Sequence, residues 1–223
     1  MAAVTDTARS ADAGSAADAD ADEQLSLPSA ERVRPASAGP DTPTTSLGTL
    51  LIIAADFMVL AGIVAAFFAV KDGSASWPPK GVSVGTYIPT MVTITAVMSA
   101  FSVQWGLYAS RRNDQRNAAI GMGMTVILGL AMANAEWLAF TRSGFSVADH
   151  SYGTFYYLLI GFHLVHVVAA TVLLILVAGR ALAGHFSRER HEPVRAVTIF
   201  FHYTNAVWFV VVTVLFLLSK NHA

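Results

Sequence analysis

The sequence predicts an all-α integral membrane bundle of five transmembrane helices, and three observations carry that prediction. Hydrophobic residues make up 54% of the 223-residue chain and charged ones only 13%, with a mean hydropathy of +0.53. Soluble domains carry about a quarter charged residues, so this balance lies on the membrane side. Five long apolar runs follow one another, each long enough to cross a hydrocarbon core of about 30 Å when tilted. Lysine and arginine alternate in density between successive loops, the asymmetry that sets orientation in a bilayer.

Residues 1–46 stand apart as a tail. They are rich in Ala, Ser, Asp and Pro, and eight of the fifteen acidic residues fall within the first 41 positions. Such a segment cannot bury enough apolar surface to offset its ordering entropy, so disorder is expected. With no apolar h-region in it, cleavage as a signal peptide is not expected. The transmembrane domain is then 47–219. Its spans run from about Leu47 to Val70, Thr86 to Ser110, Ala118 to Phe140, Tyr152 to Ala178 and Val194 to Leu218.

Orientation follows from the charges. The second and fourth loops hold Arg111, Arg112, Arg116, Arg180, Arg188, Arg190 and Arg195, against Lys71, Lys80, Arg142 and Lys220 on the other side. That excess predicts a cytoplasmic N-terminus and an outside C-terminus, and Arg9, Arg32 and Arg34 of the tail agree with it. Trp77, Trp105, Tyr108, Trp137, Tyr152, Phe155, Tyr156 and Tyr157 read as interfacial belt residues. Small residues crowd the third span at Gly121, Gly123, Gly129, Ala131, Ala133 and Ala135, which predicts close approach to neighbouring helices.

Polar residues within the spans are few, and each is a candidate for function. His163 and His166 lie three apart in a run otherwise apolar from Phe155 to Ala178, so they share one helix face. Asp56 lies well inside the first span, where it must be protonated or paired with an imidazole. Glu136 and Asn134 fall near the outer end of the third span, where a carboxylate reaches water or an adjacent helix. His202 and Asn205 form a polar seam in the fifth span, and Ser102 and Gln104 lie in the second. In the first loop, Trp77, Pro78, Pro79, Lys80 and Gly81 predict an extended stretch followed by a turn.

Several classes fall away. The chain has no cysteine, which removes disulfides, thiolate metal sites and iron–sulfur clusters. No nucleotide loop or nucleophile elbow is present, and no basic cluster supports a nucleic-acid partner. Hydrogen bonding between helices accounts for the histidines without a metal. A haem held by His163 or His166 with His202 is the competing reading, and a transporter with Asp56 as its proton site is a third.

Taken together, the motifs resemble subunit III of the haem-copper cytochrome c and quinol oxidases, in its short five-helix bacterial form. That family carries Gly-Phe-His-Gly-Leu-His-Val in its penultimate helix, against Gly161-Phe162-His163-Leu164-Val165-His166-Val167 here. Its last helix carries Trp-His-Phe-Val-Asp-Val-Val-Trp, against Phe201-His202-Tyr203-Thr204-Asn205-Ala206-Val207-Trp208. Its Trp-Pro-Pro-x-Gly loop matches Trp77 to Gly81, its late Glu-Tyr/Trp pair matches Glu136-Trp137, and its buried glutamate falls at Asp56. The departures are Leu164, Phe201, Asn205 and the shortened acid at Asp56.

The resemblance covers about residues 47 to 219 and implies an accessory subunit of the bacterial plasma membrane. Such a subunit binds no haem or copper and no other metal, these being held by partner subunits. It packs directly on subunit I, shares a complex with subunit II, holds structural phospholipids in a cleft, and supports proton uptake through its buried carboxylate. The complex as a whole reduces oxygen to water; the isolated chain catalyses nothing. A subunit III-like associate of nitric oxide reductase is the alternative that the departures leave open.

Overall fold

In the computed structural model the described residues are 44–183 and 191–218. The chain divides into two units, Met1–Pro40 and Asp41–Ala223. The first lies wholly outside the described residues, as do Arg188, Arg190 and Lys220. Among the described residues every regular element is helical. These are α1 (Thr44–Asp72), α2 (Tyr87–Arg111), α3 (Gln115–Thr141), α4 (Ser151–Leu182) and α5 (Glu192–Val212), the last continuing as a π-helical turn over Thr213–Leu217. All five are long and apolar enough to cross a membrane. With five crossings, Thr44 and Leu218 stand at opposite ends of the bundle.

The helix ends follow local chemistry. Asp114 caps α3 by accepting from the Asn117 N–H at 3.1 Å, and the connection from α2 is short enough to force antiparallel neighbours. Asn113 takes φ 62 in that turn, a conformation asparagine tolerates. His150 caps α4 through Nδ1, which accepts from the Gly153 N–H at 2.7 Å. At the start of α1, the buried N–H of Ser46 donates to Glu192 Oε1 of α5 at 3.3 Å, so one helix supplies the cap of another. Helix α4 runs four residues beyond the apolar stretch that predicts it, because Arg180 lets the last turn reach a polar boundary while its stem stays apolar.

Packing is set by small residues and by a shared polar interior. Helix α3 lies between α2 and α4, α5 closes the group against α2 and α4, and α1 leans on α5. Helices α2 and α3 nearly touch at Gly106 and Gly121. A Cβ on Gly121 would sit 2.8 Å from the Gly106 Cα, and Ser102 Oγ donates to the Gly121 carbonyl at 2.9 Å. This is the close approach the small residues of the third span predict.

One group of aromatics departs from the belt reading. Trp77 is only 3% exposed and packs edge-on against Phe67 and Tyr152, with ring centroids 5.3 and 5.5 Å away. Tyr152 and Tyr156 are buried as well, whereas Trp105, Tyr108 and Trp137 face outward. The first loop therefore folds back over the bundle end, and an aromatic there gains more from a packed core than from the headgroup layer. The peptide before Pro78 is cis, and Gly81 takes φ 87 in the turn closed by the Val82 N–H to Pro79 carbonyl bond at 3.1 Å.

Candidate functional site

The polar residues of the spans gather into two clusters that share helix α4. In the first, His163 Nδ1 meets Glu136 Oε1 of α3 at 2.8 Å, and its Nε2 meets the Thr204 carbonyl of α5 at 3.2 Å. Histidine and glutamate are 0% and 1% exposed. Trp208 covers the imidazole, with centroids 4.9 Å apart. Sequence position leaves Glu136 water or an adjacent helix; the fold gives it the helix, burying it against His163 of α4.

The hydrogen bonds constrain the protons. A carbonyl can only accept, so His163 Nε2 carries a hydrogen. Its Nδ1 must then either donate to a carboxylate or accept from a carboxylic acid. Either way one proton lies on the Nδ1–Oε1 axis and the pair is neutral overall. Glu136 Oε2 has no partner among the described residues.

The second cluster repeats the device with the ring reversed. His166 Nδ1 meets the Phe162 carbonyl one turn earlier at 2.7 Å, and Nε2 meets Asp56 Oδ2 of α1 at 3.0 Å. Tyr203 of α5 donates its hydroxyl to the same Asp56 oxygen. Asp56 lies twelve residues into α1 and Tyr203 eleven into α5. Both helices start at the same end of the bundle, so the two side chains fall at one depth. This cluster is more open, with 13% and 21% exposure for His166 and Asp56.

One turn away along all three helices, Ile52, Ala169 and Phe200 begin a cleft of about 420 Å³ between α1, α4 and α5. Its wall is apolar, and Arg180 stands with Thr45 at the other end.

Asn205 and His202 point away from both pairs. The Asn205 amide donates to the Ala96 carbonyl and Ser99 Oγ of α2, each at 3.2 Å. The indole of Trp208 donates to Thr93 Oγ1 at 2.9 Å. His202 Nε2 meets Gln104 Oε1 of α2 at 3.2 Å on an exposed face. Thus His202 joins neither His163 nor His166, and no group of three metal-ligating side chains forms among the described residues.

Trp77, Pro78, Pro79 and Gly81 belong to the folded-back loop at the bundle end rather than to either pair. Three contributors escape the sequence reading: Tyr203, Trp208 and the Thr204 carbonyl. A tyrosine at the depth of Asp56 is the one sequence signal that points to any of them.

Comparison with known proteins follows the same residues. Residues 41–220 match the family described as Cytochrome c oxidase subunit III. Cytochrome c oxidase subunit 3 of Thermostichus vulcanus is 24% identical over 175 residues, which cover 78% of this chain and 87% of that protein. The proteins of the same name from Arabidopsis thaliana and Drosophila melanogaster are 30% and 29% identical over 169 residues. Each alignment covers 72% of this chain, but only 63% and 64% of the relative, so the chain spans less than two thirds of their length.

Proposed function

The chain belongs to the cytochrome c oxidase subunit III family, and from that premise we propose that it is a subunit without a redox centre, packed beside the catalytic subunit I of a respiratory oxidase. Subunit II completes the complex, the membrane is the bacterial plasma membrane, and oxygen reduction takes place on the haem and copper of the partners. The observation that carries this reading is the occupancy of the α4 imidazoles. All four ring nitrogens of His163 and His166 already face a carboxyl group or a backbone carbonyl. Axial ligation of a haem needs a ring nitrogen free to face the iron. Freeing one means breaking a buried hydrogen bond and leaving its partner unsatisfied. This occupancy weighs against a haem b held between His202 and His163 or His166.

Within the complex, this chain's residues hold protons and lipid rather than electrons. Asp56, His166 and Tyr203 form a group that can keep a proton in a partly open position, which suits support of proton uptake into the neighbouring subunit. The cleft beside it is the place for a structural phospholipid, with acyl chains against Ile52, Leu173 and Phe200 and the phosphate towards Arg180.

Affinity purification through a tag on this chain, from its own membranes in mild detergent, tests the reading. A larger haem-copper subunit should come down with it in equal amount, with oxidase activity in the eluate. Recovery of this chain without any haem protein would overturn the proposal.

A further inference from the structure

Helix α1 stands at the edge of the bundle. It packs along α5 and meets α4 only marginally, yet Asp56 reaches an imidazole on α4. Aspartate is the shorter of the two acids that could make that crossing, with one methylene fewer than glutamate to steer its carboxyl. Another group must set where the carboxyl points.

Tyr203 is placed to do so. It comes from α5, the helix on which α1 leans, and its hydroxyl donates to Asp56 Oδ2, the same oxygen that meets His166 Nε2 at 3.0 Å. Its ring packs edge-on to the imidazole with centroids 6.2 Å apart, and Phe200, one turn earlier, stands 6.1 Å from the same imidazole. The tyrosine thus fixes both ends of the Asp56–His166 contact, the oxygen by a hydrogen bond and the ring by packing. Asp56 Oδ1 meets no partner among the described residues, so without the hydroxyl one bond alone would orient the carboxyl. The other pair supplies the contrast. Glu136, the longer acid, lies on α3, which packs closely on α4. It meets His163 with no hydroxyl donating to it among the described residues.

The protons make a single donor at Oδ2 sufficient. The Phe162 carbonyl only accepts, so His166 Nδ1 carries a hydrogen. Nε2 then either accepts from the carboxylic acid or donates to the carboxylate. In passing from the first state to the second, the Oδ2–H bond breaks and the Nε2–H bond forms, while Nδ1 keeps its hydrogen. Oδ2 has a lone pair for the tyrosine hydroxyl in both states. The proton therefore moves along a 3.0 Å line with no side chain turning.

We propose that Tyr203 is a positioning residue for Asp56. Its hydroxyl makes up for the methylene that aspartate lacks and holds Oδ2 on line with His166 Nε2 for either position of the shared proton. The inference rests on the proton-holding role given above to this group and adds what sets its geometry.

NMR of the imidazole nitrogens in the full chain, isotope-labelled at histidine and held in lipid bilayers, tests it. The His166 signals are those lost in His166→Asn. Tyr203→Phe alone and Asp56→Glu alone should each move the Nε2 resonance, the first by releasing Oδ2 and the second by crowding the hydroxyl. The two substitutions together should return it towards the wild-type position, a coupling that independent structural effects do not produce. An unmoved Nε2 resonance in Tyr203→Phe overturns the proposal, and so does a double variant that shows the sum of the two single shifts. Circular dichroism accompanies each sample. If Asp56→Glu alone does not fold, its rescue by Tyr203→Phe is the expected result, and a double variant that stays unfolded overturns the proposal. The turnover lifetime of the intact oxidase keeps the two readings apart. If Asp56→Ala leaves that lifetime unchanged, the proton-uptake role falls, while the NMR pattern still decides whether Tyr203 sets the geometry of Asp56.

Discussion

Replacing Glu136 by leucine removes the acid partner of His163 and leaves its Nδ1 facing hydrocarbon in a site that is 0% exposed. Nε2 remains bound to the Thr204 carbonyl, so the ring cannot turn away without losing that bond too. A buried donor or acceptor left unsatisfied costs about 1–3 kcal/mol. For a protein of this size about 1 kcal/mol moves the melting temperature by roughly 2–4 °C. Glu136→Leu should therefore lower the melting temperature in detergent by roughly 2–12 °C. Glu136→Gln should keep most of the stability, since its amide donates to the Nδ1 lone pair in the same geometry. Thermal unfolding followed by circular dichroism on the purified chain reads both. Equal losses for the two variants, or no loss for leucine, would refute the account of this pair as a hydrogen-bonded clamp between α3, α4 and α5.

Three other expectations follow from named contacts. Gly121→Val places a side chain against the Gly106 backbone, where a Cβ alone already lies at 2.8 Å. It should cost about 1–3 kcal/mol by overpacking, seen as a lower melting temperature, while Gly123→Ala, with nothing within 4 Å of its Cβ position, should be neutral. Asp56→Ala in the assembled oxidase should leave the initial rate of oxygen uptake nearly intact and shorten the lifetime of turnover; unchanged inactivation kinetics count against a role in proton uptake. Asp114 has its carboxyl held below the usual carboxylate range by the Asn117 backbone N–H and side-chain amide. Its contribution is complete above the unfolded value and lost as pH falls through the folded one, so Asp114→Ala should lower stability at pH 7 but not below that lower value.

Much of the fold is legible in the sequence because hydropathy and length are local properties. The five spans lie where the apolar runs place them, and the ends of α1, α2 and α3 follow within a few residues. Pairing is less legible. Asp56 calls for a proton or an imidazole on energetic grounds alone, but nothing local says that the imidazole is His166 rather than His163 or His202. That choice depends on the rotation of α4, which puts two residues three apart against different neighbours. Glu136 shows the converse. Its distance from the helix end leaves water or an adjacent helix open, and the choice is made by His163 of α4 lying against it, a non-local fact. Trp77 and Tyr152 read as belt aromatics for the same reason, since only the folded loop brings Phe67 and Phe155 beside them.

The central claim is that the histidines of this chain are engaged in hydrogen bonds between helices and bind no redox centre. The most direct measurement is the dithionite-reduced minus oxidised difference spectrum of the chain separated from its complex, with the intact complex recorded alongside. The account predicts haem bands in the complex and none in the separated chain, at any level of haem supplied during growth. A haem band in the separated chain that disappears in His163→Ala or His202→Ala would contradict it.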